Sequence, residues 1–546
     1  MPRCWRFMLS FVLIFLTGFA VFARMEVADE LRLRDGTLVR GDALSHDQDS
    51  VVFRTVEGVK TYARKDVASI VFGGVATTGG VPPGISAGPG LQVKRWYTWR
   101  KITDNPRDAS AKHISFAKLS GNGQRLLFCG REGVHTLNPD GSGLTQLTAE
   151  PTERCDITHD GRRVVWHNTK EGITLASADG TGKSTLAGGL SPTALRISGD
   201  GTAVFVLDYE KDGIFRIASD GSSIKRVIST AEVSKANGVA ENRNHWRANS
   251  LDVSDDGRRV VFQFLWDAFA LEVQGSRLRQ ITRYLTPEDR SLMVARVSPD
   301  GSKVAYLYYA SAEKHFVAVQ EWSGASLATH NELGAGMREL EVLSDGSVFG
   351  GGSFVRFLRP DGRTREEVFG FAEAPLFDTP YGATCSADGR RMVLLTEGVV
   401  SVDQGRGTQI FVIEANPSSI AGFPTLNDIH AQPTFVPIDG STTATLRVRA
   451  GDPAQLNLVY AFLTRENLLG YDINLARYSG DGWLVDNATR GDVKAGDGVY
   501  TGNQFTPHMY VTRPIEPGPL VLRVFARTKT GSMTVVDLEG MEARRP

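Results

Sequence analysis

Apolar residues in this chain come in short runs, and the runs are broken by a recurring polar punctuation rather than by a helical period. A short apolar stretch ends in Ser or Thr, an Asp-Gly or Asn-Gly pair follows, and an apolar triplet begins three positions after the glycine, as in Val164-Val165-Trp166. Each part has a physical reading. The hydroxyl bonds the turn backbone, the glycine takes the positive φ of a tight hairpin, and the triplet reads as a strand buried on both faces. The copies are "LSGNGQRLLFC" from Leu119, "ITHDGRRVVWH" from Ile157, "ISGDGTAVFVL" from Ile197, "VSDDGRRVVFQ" from Val253, "VSPDGSKVAYL" from Val297, "VLSDGSVFGGG" from Val342 and "CSADGRRMVLL" from Cys385. Their glycines (Gly123, Gly161, Gly201, Gly257, Gly301, Gly346 and Gly389) are spaced by 38, 40, 56, 44, 45 and 43 residues. That period is one four-stranded propeller blade.

A second hairpin follows the first in most copies: "LNPDGSGLTQLT", "ASADGTGKSTL", "IASDGSSIKRV", "EVQGSRLRQIT" and "LRPDGRTREEV". The second of these holds GTGKST, Gly180 to Thr185, which superficially suggests a phosphate-binding loop. Such a loop needs a glycine five residues before the Gly-Lys pair and a helix after it. Ser177 stands at the first position and a Gly- and Pro-punctuated stretch at the second, so GTGKST reads as the turn between the two outer strands of blade two.

The paired signatures resemble the TolB-like, or WD40-like, propeller repeat over about residues 92–417. The resemblance implies an all-β, seven-bladed β-propeller. For function it implies only a range, because that family holds interaction modules, peptidase accessory domains and a few lyases. Blade seven supplies three strands, the last being "TQIFVIEA" from Thr408, and lacks an outer one. "YTWRKITD" from Tyr97 matches the outer-strand ending "RLRQITR" from Arg277. Residues 96–103 are therefore expected beside 408–415, closing the ring and removing its open seam.

The residue five before the turn glycine of each copy reads Lys118, Asp156, Arg196, Asp252, Arg296, Glu341 and Thr384, flanked by apolar neighbours. On the innermost strand of each blade these side chains line the channel. Alternating sign at one level predicts a structural ring of ion pairs, since desolvated charges need partners.

The flanks read differently. Residues 27–73 alternate apolar and polar over five short strands, as in a small SH3- or Sm-like barrel, and 74–91 read as a Gly/Pro linker. The linker contains Gly84-Ile85-Ser86-Ala87-Gly88, a formal nucleophile-elbow match. The flanking Pro82, Pro83 and Pro89 deny it the strand and helix an elbow requires. Residues 431–546 resemble a C-terminal bacterial Ig-like β-sandwich, with "GDGVYTG" as its characteristic turn. Asp486, Asp492 and Asp497 in that region are either Ca²⁺ ligands or carboxylates holding tight turns, the latter being the simpler reading.

Composition narrows the function. In 546 residues with a net charge of −1 there is no basic excess, which argues against a nucleic-acid partner. Arg3 and Arg6 precede the apolar run Phe7 to Phe22 and a small-residue site at 21–23. Residues 1–23 thus read as a signal peptide and the protein as periplasmic or secreted, with no membrane insertion after cleavage. Cys129, Cys155 and Cys385 remain, allowing at most one internal disulfide; each reads as a small buried apolar residue. No His-Glu-x-x-His, sialidase-type Asp box or hydrolase-sized domain is present, and no cofactor is expected. The interval from Gly201 to Gly257 is about a dozen residues too long. Its excess carries His245, Trp246 and Arg247, with Trp266 and Asp267 nearby, as candidate binding residues on a rim loop; the alternative is a folded-back cover for the blade edge. The expectation is an exported non-catalytic propeller that binds a protein or glycan of the cell envelope. The alternative is a carbohydrate-active, polysaccharide-lyase-like enzyme with a channel metal, which would bring His113, His159, His167, His245 and His315 together.

Overall fold

The structure is a computed structural model describing residues 29–33, 37–46, 50–55, 58–63, 66–71, 81–102, 114–242, 245–282, 291–311, 314–330, 337–352, 355–362, 364–369, 380–398, 407–438, 441–451, 455–464, 483–484, 486, 494–505 and 517–545. The apolar run at 7–22 and the signal expected over 1–23 lie outside these residues, as do His113, Asp492 and the side chain of Arg247. The chain divides into two compact units, 1–81 and 82–546. In the first, five antiparallel strands form one sheet in the order Gly58–Ala63, Ser50–Thr55, Leu38–His46, Asp29–Leu33, Val67–Val71.

The second unit is almost entirely β. Among the described residues, six four-stranded antiparallel sheets succeed one another within 114–148, 154–187, 194–228, 246–280, 291–330 and 337–369. A seventh joins Pro380–Cys385, Arg391–Gly398 and Gly407–Ala415 to the strand Gln92–Lys101. The innermost strand of each sheet abuts that of the next, and the innermost strand of the seventh abuts that of the first. The sheets are the blades of a closed propeller, numbered here one to seven in chain order.

The repeated turn shows why the sequence folds this way. In blades one to five and seven the Ser or Thr hydroxyl donates to the Asn or Asp two residues on, at 2.8 Å for Ser120–Asn122 and 2.6 Å for Thr158–Asp160. The next residue is a glycine at φ between +64° and +74° in these blades, the left-handed region where a side chain would be strained. Blade six has Leu343 in place of the hydroxyl and the glycine-rich strand Val348–Gly352. Its smallness has a cause: a Cβ at Gly351 would stand 2.7 Å from that of Ala383 on blade seven.

Backbone hydrogen bonds run from turn to turn around the channel: Asn122 N to His159 O, His159 N to Gly199 O, Asp200 N to Asp255 O, Asp255 N to Pro299 O and Ala387 N to Gly121 O. The last of these joins blade seven to blade one. A second belt comes from the residue two after each turn glycine. Arg163, Arg259 and Arg391 donate to the carbonyls of Gly201, Gly301 and Gly123 at 3.0, 2.7 and 2.9 Å, each on the following blade. Lys303 does the same for Ser344 at 2.7 Å. Arg391 alone of these spans the closure, so Arg391→Ala is expected to lower stability in urea by about 1.5 kcal/mol, the worth of one charged hydrogen bond.

The closing strand lies where the sequence placed it. Tyr97 to Lys101 pair with Ala415 to Phe411, and Ile102 N donates to Ile410 O. Two boundaries differ from the expectation. The same strand pairs along its other edge with Met533–Arg544, from Gln92 to Trp99, so blade seven and the C-terminal region share one continuous sheet. Within the expected linker, Ile85–Ala87 is a strand, parallel to Leu426–Gln432 in the order Val499–Phe505, Ala444–Ala450, Leu426–Gln432, Ile85–Ala87. That sheet packs on the extended one over a core that includes Ile85, Trp96, Leu426, Leu446, Val459, Leu522, Val524 and Leu538. The C-terminal sandwich thus recruits residues 85–101 from upstream of the ring. Ser86, at the apparent elbow, accepts the Asp428 amide at 3.0 Å.

Buried charge locks this junction. Asp537, fully buried, accepts Arg523 Nε at 2.6 Å and Nη2 at 2.9 Å, and also Arg95 Nε. Glu366, on the outer strand of blade six, accepts Tyr97 Oη at 2.8 Å and Arg359 Nη2 at 2.7 Å. Arg95 lies 3.8 Å from Glu366, so the guanidinium bridges the two carboxylates.

Candidate functional site

The seven innermost strands surround a central pit of about 140 Å³. Its floor is the charge level read from the sequence: Lys118, Asp156, Arg196, Asp252, Arg296 and Glu341 all line it, with Thr384 completing the seventh blade. Side chains alternate in and out along a strand, so one residue type per blade faces the axis, and Glu339, two positions before Glu341, faces it too.

The charges are arranged by a rule finer than alternation. Lys118 Nζ meets Asp156 Oδ1 at 2.7 Å and Arg196 Nε lies 3.8 Å from Asp252 Oδ1. The other oxygen of each aspartate accepts a backbone amide of the following blade, Ile197 N at 2.9 Å for Asp156 and Val297 N at 3.0 Å for Asp252. Glu341 follows suit on blade seven, accepting Thr384 Oγ1 at 2.5 Å and Cys385 N at 3.5 Å. The two arginines match each other, Nη1 donating to Leu195 O at 2.9 Å and to Ala295 O at 3.0 Å. Acids on blades two, four and six therefore stitch each of these blades to its successor, and the cations between them neutralise the stitches. Electrostatics follow burial. Glu339 and Glu341 are pushed above the usual carboxylate range by desolvation, opposed for Glu341 by Lys118. Desolvation likewise lowers the Arg296 guanidinium, opposed by Asp252.

The repeated turns form one mouth of the pit, where the lining residues are partly exposed. The residue between the hydroxyl and the Asp or Asn varies, being glycine in blades one and three, and Gly121, His159, Gly199, Asp255, Pro299 and Ala387 line the mouth. His159 Nδ1 lies 2.7 Å from Asp255 Oδ2, bridging blades two and four with both side chains partly exposed. That hydrogen bond raises the imidazole pKa above its ordinary value. The bridge passes over Gly199, where a Cβ would lie 1.9 Å from the Asp255 carboxylate.

The insertion between blades three and four is a cover, not an open rim loop. It contains the helix α1, Thr230–Asn237, with Ser229 and Glu232 as a reciprocal capping box and Gly238 at φ 70° as its C-cap. Val233 and Trp246 share one apolar cluster with Phe205, Phe262 and Phe269. Trp246 is buried and donates Nε1 to Thr230 Oγ1 at 2.9 Å, which removes it from the candidate binding surface. Asp267 is corrected likewise: it is buried and holds the blade-four edge through Thr282 Oγ1 at 3.0 Å and Gln280 Nε2 at 3.1 Å. His245 is half-buried and edge-on to Phe264, and Trp266 is half-buried in the adjacent turn.

In the C-terminal region Asp486 accepts three backbone amides, from Gly496 at 2.6 Å, Asp497 at 3.2 Å and Gly498 at 3.0 Å, and Asp497 accepts Val499 N at 2.9 Å. Asp486 thus holds the turn. The blade-two turn carries Lys183 against Glu171 at 2.6 Å and over the Trp166 ring. Of the five candidate histidines, the side chain of His315 lies, like His113, outside the described residues, and His159 and His167 do not converge. His159 sits in the blade-two turn, whereas His167 pairs with Arg154 at the far end of the strand leaving that turn, more than about 13 Å along it. Among the described residues no group of three or more His, Cys, Asp or Glu has metal-binding geometry.

No family model matches the chain. No curated protein matches it. Among solved structures it is similar to hydrazine synthase of Kuenenia stuttgartiensis, at 14% identity over 55% of this chain and 96% of that one, with a TM-score of 0.38. It is also similar to an oligogalacturonate lyase in complex with manganese, at 13% identity over 59% of this chain and 98% of that one, with a TM-score of 0.40.

Sequence reasoning missed Glu339 and Asp255, and read His159 only as one of five histidines that a channel metal would gather. Glu339 lies one period-two step from the charge column, and the other two occupy the variable position of the repeated turn. Reading those two columns down the repeats would have found all three.

Proposed function

We propose that this is an exported, non-catalytic propeller scaffold of the TolB-like kind that binds a protein or glycan partner of the cell envelope at the turn-side mouth of its channel. The observation that carries the reading is how the floor is used. Asp156, Asp252 and Glu341 each spend an oxygen on the next blade, so the charges serve ring closure and leave recognition to the mouth above them. There the residue presented on an otherwise common turn varies among the blades, and the His159–Asp255 bridge offers a donor, an acceptor and a titratable ring.

The test is interferometry on the immobilised full chain, titrated with purified envelope polysaccharides and with envelope proteins. The double variant His159→Ala, Asp255→Ala is expected to weaken binding at least tenfold. Unchanged binding would move the site away from the mouth. Release of unsaturated sugar products from an acidic polysaccharide on addition of divalent cations would overturn the non-catalytic reading.

A further inference from the structure

Two of the three cysteines expected after signal removal meet across a blade interface. Cys129 lies on the blade-one strand Leu126–Gly130 and Cys155 on the innermost blade-two strand Arg154–Ile157. Both side chains are buried, and the sulfurs are 2.7 Å apart. That is well inside the ordinary contact of two unbonded sulfurs, and the strands that carry them approach within 8 Å. They belong to one apolar cluster with Leu127, Val134, Val164 and Trp166, which is the packing between the two blades. Cys385 is elsewhere, on blade seven, its sulfur 3.7 Å from Glu341 Oε2.

We propose that Cys129 and Cys155 form a disulfide that staples blade one to blade two, and that Cys385 stays a thiol. Chemically, one cysteine thiolate attacks a sulfur of an external disulfide, low-molecular-weight or carried by an oxidoreductase, and displaces one thiol. The second cysteine then attacks the mixed disulfide and displaces the other. Two protein thiols and one external disulfide become one protein disulfide and two external thiols. Two electrons pass to the oxidant, and two protons leave the cysteines. Since both sulfurs are sealed in the interface, exchange happens while blades one and two are still coming together. Burial also raises the Cys155 thiol above its ordinary pKa, which keeps the folded, reduced pair unreactive. The bond closes a short loop, a link that constrains the unfolded chain.

The experiment refolds the full chain in a glutathione redox buffer, alkylates it under denaturing conditions and maps the peptides without reduction. The expected result is one linked peptide pair containing Cys129 and Cys155, with Cys385 alkylated. Chain folded first under reducing conditions and then exposed to the same buffer should form the bond at least tenfold more slowly. The oxidised protein should also show a folding equilibrium on the order of a hundredfold more favourable than that of the Cys129→Ser, Cys155→Ser variant. All three thiols free after oxidative refolding, or a linked peptide containing Cys385, would overturn the proposal. The mapping uses the unmodified chain, so it stands even where the variant does not fold, and it is independent of whether the protein is exported.

Discussion

Asp537→Asn should cost about 3–5 kcal/mol of unfolding free energy, the largest loss of any single substitution outside the apolar core. The side chain keeps its size, so the effect isolates charge. Without it Arg523, 1% exposed, and Arg95, held between Asp537 and Glu366, become under-compensated cations in a desolvated junction. Urea titration followed by tryptophan emission checks this directly, because Trp96 and Trp99 lie on the same strand as Arg95. A loss below 1 kcal/mol would show that water reaches the cluster. The wild type carries a pH signature of the same group. Arg523 and Arg95 outweigh desolvation and hold Asp537 down to about 2 from an ordinary 3.8. A carboxylate with a depressed folded pKa contributes stability that is complete above its unfolded pKa. That share is lost as pH falls from about 4 through about 2, and the Asn variant should lack this part of the acid transition.

In the channel, Asp156→Ala should cost about 3 kcal/mol and Asp252→Ala only about 1–2 kcal/mol, although the two occupy the same column of the repeat. Asp156 is fully buried, with Lys118 at 2.7 Å and Ile197 N at 2.9 Å. Asp252 keeps a partly exposed side chain and its cation is 3.8 Å away. Lys118→Met in the Asp156→Ala background should recover part of the loss, since it removes the cation left behind. Chemical denaturation of wild type, Asp156→Ala, Lys118→Met and the double variant gives the coupling energy. An Asp252 effect equal to or above that of Asp156 would show that burial does not set the order.

The ring was legible because its physics repeats. Six of the seven turns use a hydroxyl, a carboxylate or amide and a glycine in fixed order, and blade six keeps the Asp-Gly pair, so Gly123 to Gly389 mark the blades without any knowledge of contacts. The charge column was legible for the same reason, since register within a repeat fixes which face a residue takes. What stayed hidden lacked repetition. Ile85–Ala87 is three residues among glycines and prolines, and only its partner Leu426–Gln432 makes it a strand. Trp246 beside His245 and Arg247 reads equally as a ligand platform or a core anchor until Thr230 and Phe262 are seen against it. The helix α1 was within reach: Ser229 followed three residues later by Glu232 is a capping box, but a loop expectation masked it.

Because Gln92–Lys101 is bonded along both edges, both its partners are made long after it. One edge waits for 407–415 and the other for 533–544, so until residue 407 is made an early segment with Trp96, Tyr97 and Trp99 has neither strand partner. Six blades can assemble in turn as they emerge, and the torus shuts once 407–415 are made, while the other edge of the closing strand stays open until 533–544 follow. Truncation anywhere before residue 533 would leave a sticky strand ready to seek a mate in another molecule.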